Sequence, residues 1–346
     1  MGKNPNLLIF NFVMDPLDPL LSHQYEAVLA LSKHFNQVTV ITGRAGVTST
    51  DPKIRVISTK WIPGQSKRNL IRLFSKALPQ IMRGEYSSVF YHMTDMQCAL
   101  LSPFVRLRNR KQFLWYAHTF KSKYLLFSSW WVTGIVTSTA GSCPLTSKYV
   151  HTIGQAIDQE KFLPVKFNSL NFNNLIHIGR FDKSKNIDYL IATAEDLRKS
   201  FLSLKLTIIG SPANEASQRW ADELIAESKT RVSDGWLQFK GSIPREQFPI
   251  EASKNGCFFH GYLGSLDKTL IESTMMCIPV VTTNLEYINI FGSWSNTEHP
   301  NLEDEYRAFR DLPEYKVEQE LQRRLEIALN CHSLRNWIEQ LSKLLQ

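Results

Sequence analysis

Apolar residues along the chain gather in short β-branched or aromatic runs: LLIFNF (7–12), QVTVIT (37–42), KIRVIS (53–58), SVFYHM (88–93), QFLWYA (112–117) and GIVTST (134–139). Strands that are apolar on both faces are buried on both faces, the condition of a parallel sheet covered by helices. Between the runs the spacing turns helical. Tyr25, Val28, Leu29 and Leu31 stripe residues 23–35, and residues 67–83 and 96–108 read as helices too. Strand and helix in alternation predict a doubly wound α/β domain over residues 1–157.

The pattern restarts after a connector containing Pro and Asn, at 159–173. NLIHIG (174–179), LKLTIIG (204–210), WLQFKG (236–241), GCFFHG (256–261) and PVVTTN (279–284) read as strands, with helices near 186–200, 214–229 and 268–276. A second doubly wound parallel-sheet domain is therefore expected over 158–330. The rest of the chain reads as helices, and its last amphipathic stretch, Leu334 to Leu345, has an apolar stripe that must find a surface. In two-domain proteins of this kind such a segment crosses back, so residues 331–346 are expected on the first domain.

A length of 346 residues, 43% hydrophobic and 21% charged, suits two domains with cores of their own and a cleft between them. The N-terminal apolar run stops at Asn11 without a small-residue cleavage site, so it reads as a buried first strand rather than a signal peptide. The stretch from Tyr124 to Val136 is broken by Ser128 and Ser129 and falls short of the roughly 18–20 residues that span a bilayer. Cys98, Cys143, Cys257, Cys277 and Cys331 form no C-x-x-C pair, which argues against structural zinc and a disulfide framework and fits a reducing cytoplasm. The net charge of +8 is concentrated at Lys67, Arg68, Arg72, Lys76 and Arg83 and again at Arg106, Arg108, Arg110 and Lys111. Such clusters attract phosphate-rich surfaces. Nucleic acid is not the expected partner, because zinc motif, RNA-recognition signature and basic tail are all missing.

No G-x-G-x-x-G follows the first strand and no P-loop sequence occurs. The phosphate-binding candidate is instead His-Ile-Gly-Arg-Phe-Asp-Lys-Ser-Lys-Asn (177–186), where a strand ends in Gly179, followed by Arg180 and by Lys185 at the start of a helix. A strand-end glycine lets backbone approach a ligand, and two cations beside a helix N-terminus suit a diphosphate. A second candidate is Gly-Tyr-Leu-Gly-Ser-Leu-Asp-Lys-Thr-Leu-Ile-Glu (261–272), which opens a helix that Pro279 then ends. Its free N–H groups face an anion and Glu272, about one turn in, can accept from a ribose diol.

These two segments resemble the donor-binding half of glycosyltransferase family 4, a retaining family with the GT-B fold, in which two Rossmann-like domains face each other across a cleft. That family reads Gly-Arg, then Lys, and later Glu, seven residues, Glu before Ala-Met-Ala and Pro-Val-Val. By this resemblance Arg180 and Lys185 bind the donor diphosphate and Glu272 the ribose, with Gly179, Gly264, Ser265, Leu266, Asp267, Lys268 and Thr269 lining the donor site. The family's first Glu, which approaches the sugar hydroxyls, is replaced here by Gly264, and Asp267 or Lys268 is expected to supply part of the lost contact. Asp-Pro-Leu-Leu-Ser-His-Gln (18–24), Leu-Trp-Tyr-Ala-His (114–118) and Ile-Gly-Gln-Ala-Ile-Asp (153–158) resemble further family segments. They place His118 near the donor sugar, as a catalytic and acceptor-site residue alongside Arg180, Lys185 and Glu272, and put Asp18 and His23, with Asp15, toward the acceptor.

The resemblance implies transfer of a sugar from a nucleoside diphosphate with retention, with neither metal nor cofactor, to a glycan, lipid-linked, lipopolysaccharide or capsule-type acceptor. A cytoplasmic enzyme attached peripherally to the inner face of an anionic membrane, through the basic stretches and Trp130 and Trp131, fits that acceptor. Two competing readings share the fold: a sugar-nucleotide epimerase, which needs no acceptor, and a non-catalytic binding or scaffold protein, for which Gly264 speaks and the retention of Arg180, Lys185 and Glu272 does not.

Overall fold

The computed structural model describes residues 5–18, 21–47, 49–297 and 299–346; Pro19 and Leu20 of the 18–24 segment lie outside them. The chain divides into two compact units, residues 1–156 with 334–346, and residues 157–333.

The first unit holds β1 (Leu7–Met14), α1 (Ser22–Ser32), β2 (Val38–Ala45), β3 (Ile54–Ser58), α2 (Ser66–Arg83), β4 (Ser88–His92), α3 (Asp95–Leu107), β5 (Lys111–Trp115), α4 (Lys123–Ser128), β6 (Gly134–Thr137) and β7 (Val150–Thr152). Its strands pair in parallel in the order β3-β2-β1-β4-β5-β6-β7. Side chains on β1 alternate between two cores. Leu7 and Ile9 pack with α1 residues Ala27, Val28 and Leu31, while Leu8 and Phe10 pack with Leu73, Ala77 and Ile81 of α2 and Leu101 and Val105 of α3. Residues here are apolar at consecutive positions because each face has its own helices to meet. Two elements escape the sequence reading. β7 spans three edge residues, and α4 starts where Ser122 Oγ accepts from Leu125 N at 3.0 Å, inside the apolar stretch that begins at Tyr124.

The second unit holds β8 (Asn174–Ile178), α5 (Ile187–Arg198), β9 (Lys205–Ile209), α6 (Glu215–Glu227), α7 (Lys229–Ser233), β10 (Leu237–Lys240), α8 (Phe248–Ser253), β11 (Cys257–His260), α9 (Lys268–Met275), β12 (Val280–Thr282), α10 (Leu285–Phe291), α11 (Leu302–Asp311) and α12 (Glu314–His332). The parallel order is β10-β9-β8-β11-β12. Strand order reverses between β8 and β11, and open α/β sheets bind ligands outside the carboxyl ends of their strands at such a point. The β8–β11 ladder pairs only Leu175 with Cys257 and Ile176 with Phe258, so the strands part before their carboxyl ends and leave a crevice there.

After α12 a single residue, Ser333, turns the chain into α13 (Leu334–Leu345), which belongs to the first unit. Trp337, Ile338, Leu341 and Leu345 join the α1 face of the sheet, the surface that the stripe of the last helix required. No helix among the described residues is long and apolar enough to cross a membrane.

Candidate functional site

At the carboxyl end of β8 the chain passes Gly179 and Arg180 and tightens into a 3-10 turn, Lys183–Lys185. Asp182 starts that turn, its carboxylate accepting from Ser184 N at 3.0 Å and from Ser217 Oγ at 3.3 Å. Asn186 then adopts a left-handed backbone (φ 50°), a conformation asparagine tolerates better than most residues. Its Nδ2 donates to Gly261 O across the crevice at 2.7 Å. Close backbone approach explains two glycines here: a Cβ on Gly210, whose φ is +154°, would lie 1.8 Å from Gly179 O, and one on Gly179 would lie 2.9 Å from His177 Nε2.

The helix α9 approaches from the other side of the crevice. Asp267 stands at its N-cap position in an extended conformation, yet its side chain does not cap. It forms an ion pair with Lys185 and lies 3.4 Å from His260 Nε2. Burial would raise the Asp267 carboxyl, but the Lys185 ammonium and His260 outweigh it and hold the group well below the ordinary carboxylate range. The Lys185 ammonium, buried with its side chain, also lies 4.0 Å from the centre of the Tyr262 ring. Asp267, expected to touch the sugar, is therefore committed to Lys185 and His260, and the first-turn N–H groups of α9 have no side-chain cap.

Further along α9, Glu272 is fully buried and pairs with Arg245 from the turn after β10. Burial pushes its pKa up, with Arg245 and Lys268 pulling the other way. Glu272 Oε2 and Thr269 Oγ1 are buried without a hydrogen-bond partner among the described residues, the state of polar atoms that a ligand satisfies. Ser265 and Leu266 are buried beneath the loop, and Leu266 packs into the core around Ile271. Arg180 is exposed and enters no ion pair among the described residues, which leaves a guanidinium for an anion at the strand end.

Under the crevice two histidines are enclosed completely. His177 Nδ1 bonds Phe259 O at 3.0 Å and His260 Nδ1 bonds Thr282 Oγ1 at 3.1 Å. Burial, aided by repulsion from His260, lowers His177 to about 3; His332, elsewhere in this unit, is lowered to about 4 by burial. A histidine whose folded pKa lies below its unfolded one stabilises the fold fully above about pH 6.5 and loses that contribution as pH falls toward the folded value. Acidification from pH 7.5 to 5.0 is expected to cost this unit about 2 kcal/mol per histidine at roughly 1.4 kcal/mol per pH unit. Glu272 acts in the opposite sense, relieving its burial penalty as pH nears its raised pKa. Denaturant unfolding at the two pH values checks this, and equal midpoints would refute it.

In the first unit, His118 is exposed beyond the carboxyl end of β5 with its ring edge-on to Tyr116 at 5.5 Å. His23 sits half-buried in the first turn of α1, its ring 5.8 Å from that of His92. Asp18 accepts from Leu21 N at 2.8 Å and pairs with Arg44 at 3.3 Å, and Asp15 accepts from Leu17 N at 3.0 Å, so both carboxylates shape the loop before α1. Arg245, Tyr262, His260 and Asn284 were not singled out from sequence; only Arg245, a cation just past a strand and Pro244, carried a local signal.

Residues 158–289 match the family model described as glycosyl transferases group 1. No curated protein matches the sequence. Among solved structures the fold is that of GT-B glycosyltransferases. HepE of Anabaena, solved with UDP and glucose, is 12% identical over 98% of each chain with a TM-score of 0.74. Sucrose-phosphate synthase of Thermosynechococcus elongatus is 12% identical over 98% of each chain at 0.73. A glycosyltransferase of Rickettsia africae is 12% identical over 99% of this chain and 98% of its own at 0.70.

Proposed function

We propose that this chain, a group 1 glycosyltransferase of the GT-B fold, moves a sugar with retention from a nucleoside-diphosphate donor held at the carboxyl ends of β8 and β11. The observation that carries the reading is the convergence on one crevice of Arg180, Lys185, the uncapped first turn of α9 and the buried Glu272 with its unpartnered Oε2. Arg180 and the α9 N–H groups meet the diphosphate. Lys185 joins them by sharing its charge between Asp267 and the ligand, and Glu272 accepts from the ribose once Arg245 turns outward. These groups meet the charge of the departing diphosphate without a metal. His118 is assigned to the sugar, and His23 with Asp18 to the acceptor side.

A thermal-shift series with UDP, GDP, ADP and nicotinamide dinucleotides tests the donor assignment. UDP is the first choice because HepE was solved with it. One nucleoside diphosphate is expected to raise the melting temperature of the wild type and to leave Glu272→Ala unshifted. A wild type that none of them shifts would remove the reading.

The acceptor is proposed to be a glycan carried on a lipid, reached by peripheral attachment to an anionic membrane. α2 exposes Lys67, Arg68, Lys76 and Arg83 beside the apolar Ile71 and Met82, and Trp130 is 79% exposed next to Phe127. Basic and aromatic side chains together suit a lipid interface. Sedimentation with vesicles containing phosphatidylglycerol is expected at low salt, to fade at high salt, and to weaken by about 1 kcal/mol for each of Arg68 and Lys76 replaced by Ala. Failure to sediment even at low salt would end the membrane assignment.

A further inference from the structure

The loop leaving β11 holds a side chain that no role above uses. Asn284, fully buried, donates through Nδ2 to the carbonyl oxygens of Tyr262 at 2.9 Å and Gly264 at 3.0 Å, while its Oδ1 accepts from Tyr287 N at 3.0 Å. The backbone on both sides of Leu263 is thereby fixed to the start of α10. Gly264 does not have a positive φ, so its backbone would accept a side chain. Space forbids one: a Cβ there would lie 2.1 Å from the Tyr262 hydroxyl and 2.2 Å from Cζ. The tyrosine folds back over its own loop into the volume that residue 264 leaves empty.

Folded back, the ring stands against the Lys185 ammonium, edge-on to His260 at 6.3 Å. Lys185 is 7% exposed and bound to Asp267, whereas Tyr262 is half-buried, so the ring is the part of this cluster that faces solvent. A cation against an aromatic face is held there by the ring quadrupole. A ligand whose phosphate reaches Lys185 therefore meets the Tyr262 ring and hydroxyl with whatever the phosphate carries.

We infer that Tyr262 is the donor-selecting residue of this site: its ring seats Lys185, its hydroxyl contacts the sugar attached to the diphosphate, and Gly264 is there to give it room. The inference rests on the donor assignment proposed above. Replacing Gly264 by any larger residue displaces the ring, so positions 262 and 264 act as one unit.

Calorimetric titration of the full chain with the nucleoside diphosphate and with the corresponding nucleotide sugar separates the possibilities. Tyr262→Phe is expected to leave the diphosphate affinity within about twofold and to weaken the nucleotide sugar about five- to tenfold, the effect of one hydrogen bond. Gly264→Ala is expected to weaken the nucleotide sugar by at least as much, yet to add less than about twofold in a Tyr262→Ala background, where no ring remains to be displaced. Melting temperatures show that each variant folds. Equal losses for both ligands, no loss, or a Gly264→Ala effect undiminished in the Tyr262→Ala background would overturn the role of Tyr262 while leaving the donor site standing. A wild type that binds neither ligand would overturn both.

Discussion

Arg180→Ala is expected to lower turnover by about 10²–10³-fold, equivalent to roughly 3–4 kcal/mol of transition-state stabilisation. Its guanidinium follows Gly179 at the strand end, exposed and outside any ion pair among the described residues, so the fold gives it nothing to hold except a ligand. Charge grows on the donor diphosphate as the bond to the sugar breaks, and a positioned cation is worth more to that state than to the ground state. The same exposure means that folding stability should change by no more than about 0.5 kcal/mol. Arg180→Lys should recover part of the rate, since it keeps the charge and loses the two-pronged geometry. Steady-state assays with the donor identified by thermal shift check this. A folded Arg180→Ala enzyme with wild-type turnover would take Arg180 out of the mechanism.

Trp337→Ala should destabilise the first unit by about 3–5 kcal/mol, the range for deleting a large buried aromatic. The Trp337 ring is fully enclosed, with ring centres of Trp115 at 5.5 Å, His92 at 5.9 Å and Phe90 at 6.0 Å. β4 and β5 supply those three side chains, so removing the indole hollows the sheet face against which α13 is held. Trp337 Nε1 has no hydrogen-bond partner among the described residues, an unsatisfied donor that Trp337→Phe would eliminate. The phenylalanine variant should therefore lose much less than the alanine variant. Equilibrium unfolding of both variants measures the difference, and a cost below about 1 kcal/mol for Trp337→Ala would mean that α13 adds little to the first unit.

How far the residues announce the site differs from group to group. Gly179, Arg180, Lys185 and Glu272 stand out because strand end, helix start and charge are local features, readable over ten or so residues. Arg245 and Tyr262 stay hidden because their importance comes from partners: Arg245 matters through Glu272, and Tyr262 through Lys185 and the space above Gly264. Asp267 illustrates the same limit in reverse. Its place just before a helix suggests a contact to ligand, whereas Lys185, distant in sequence, and His260 engage its carboxylate.

The sequence by itself determined two parallel α/β units and nearly all their strands, because burial on both faces writes an apolar run into every central strand. It also required a partner for the stripe at 334–345. Only the tertiary structure decided the strand orders that place a switch point between β8 and β11, the face of the first sheet that receives α13, and which cation neutralises which carboxylate. Helix and strand periodicity reflect interactions between near neighbours in the chain. Strand order and charge pairing depend on groups tens of residues apart, and nothing in their local spacing records which of them will meet.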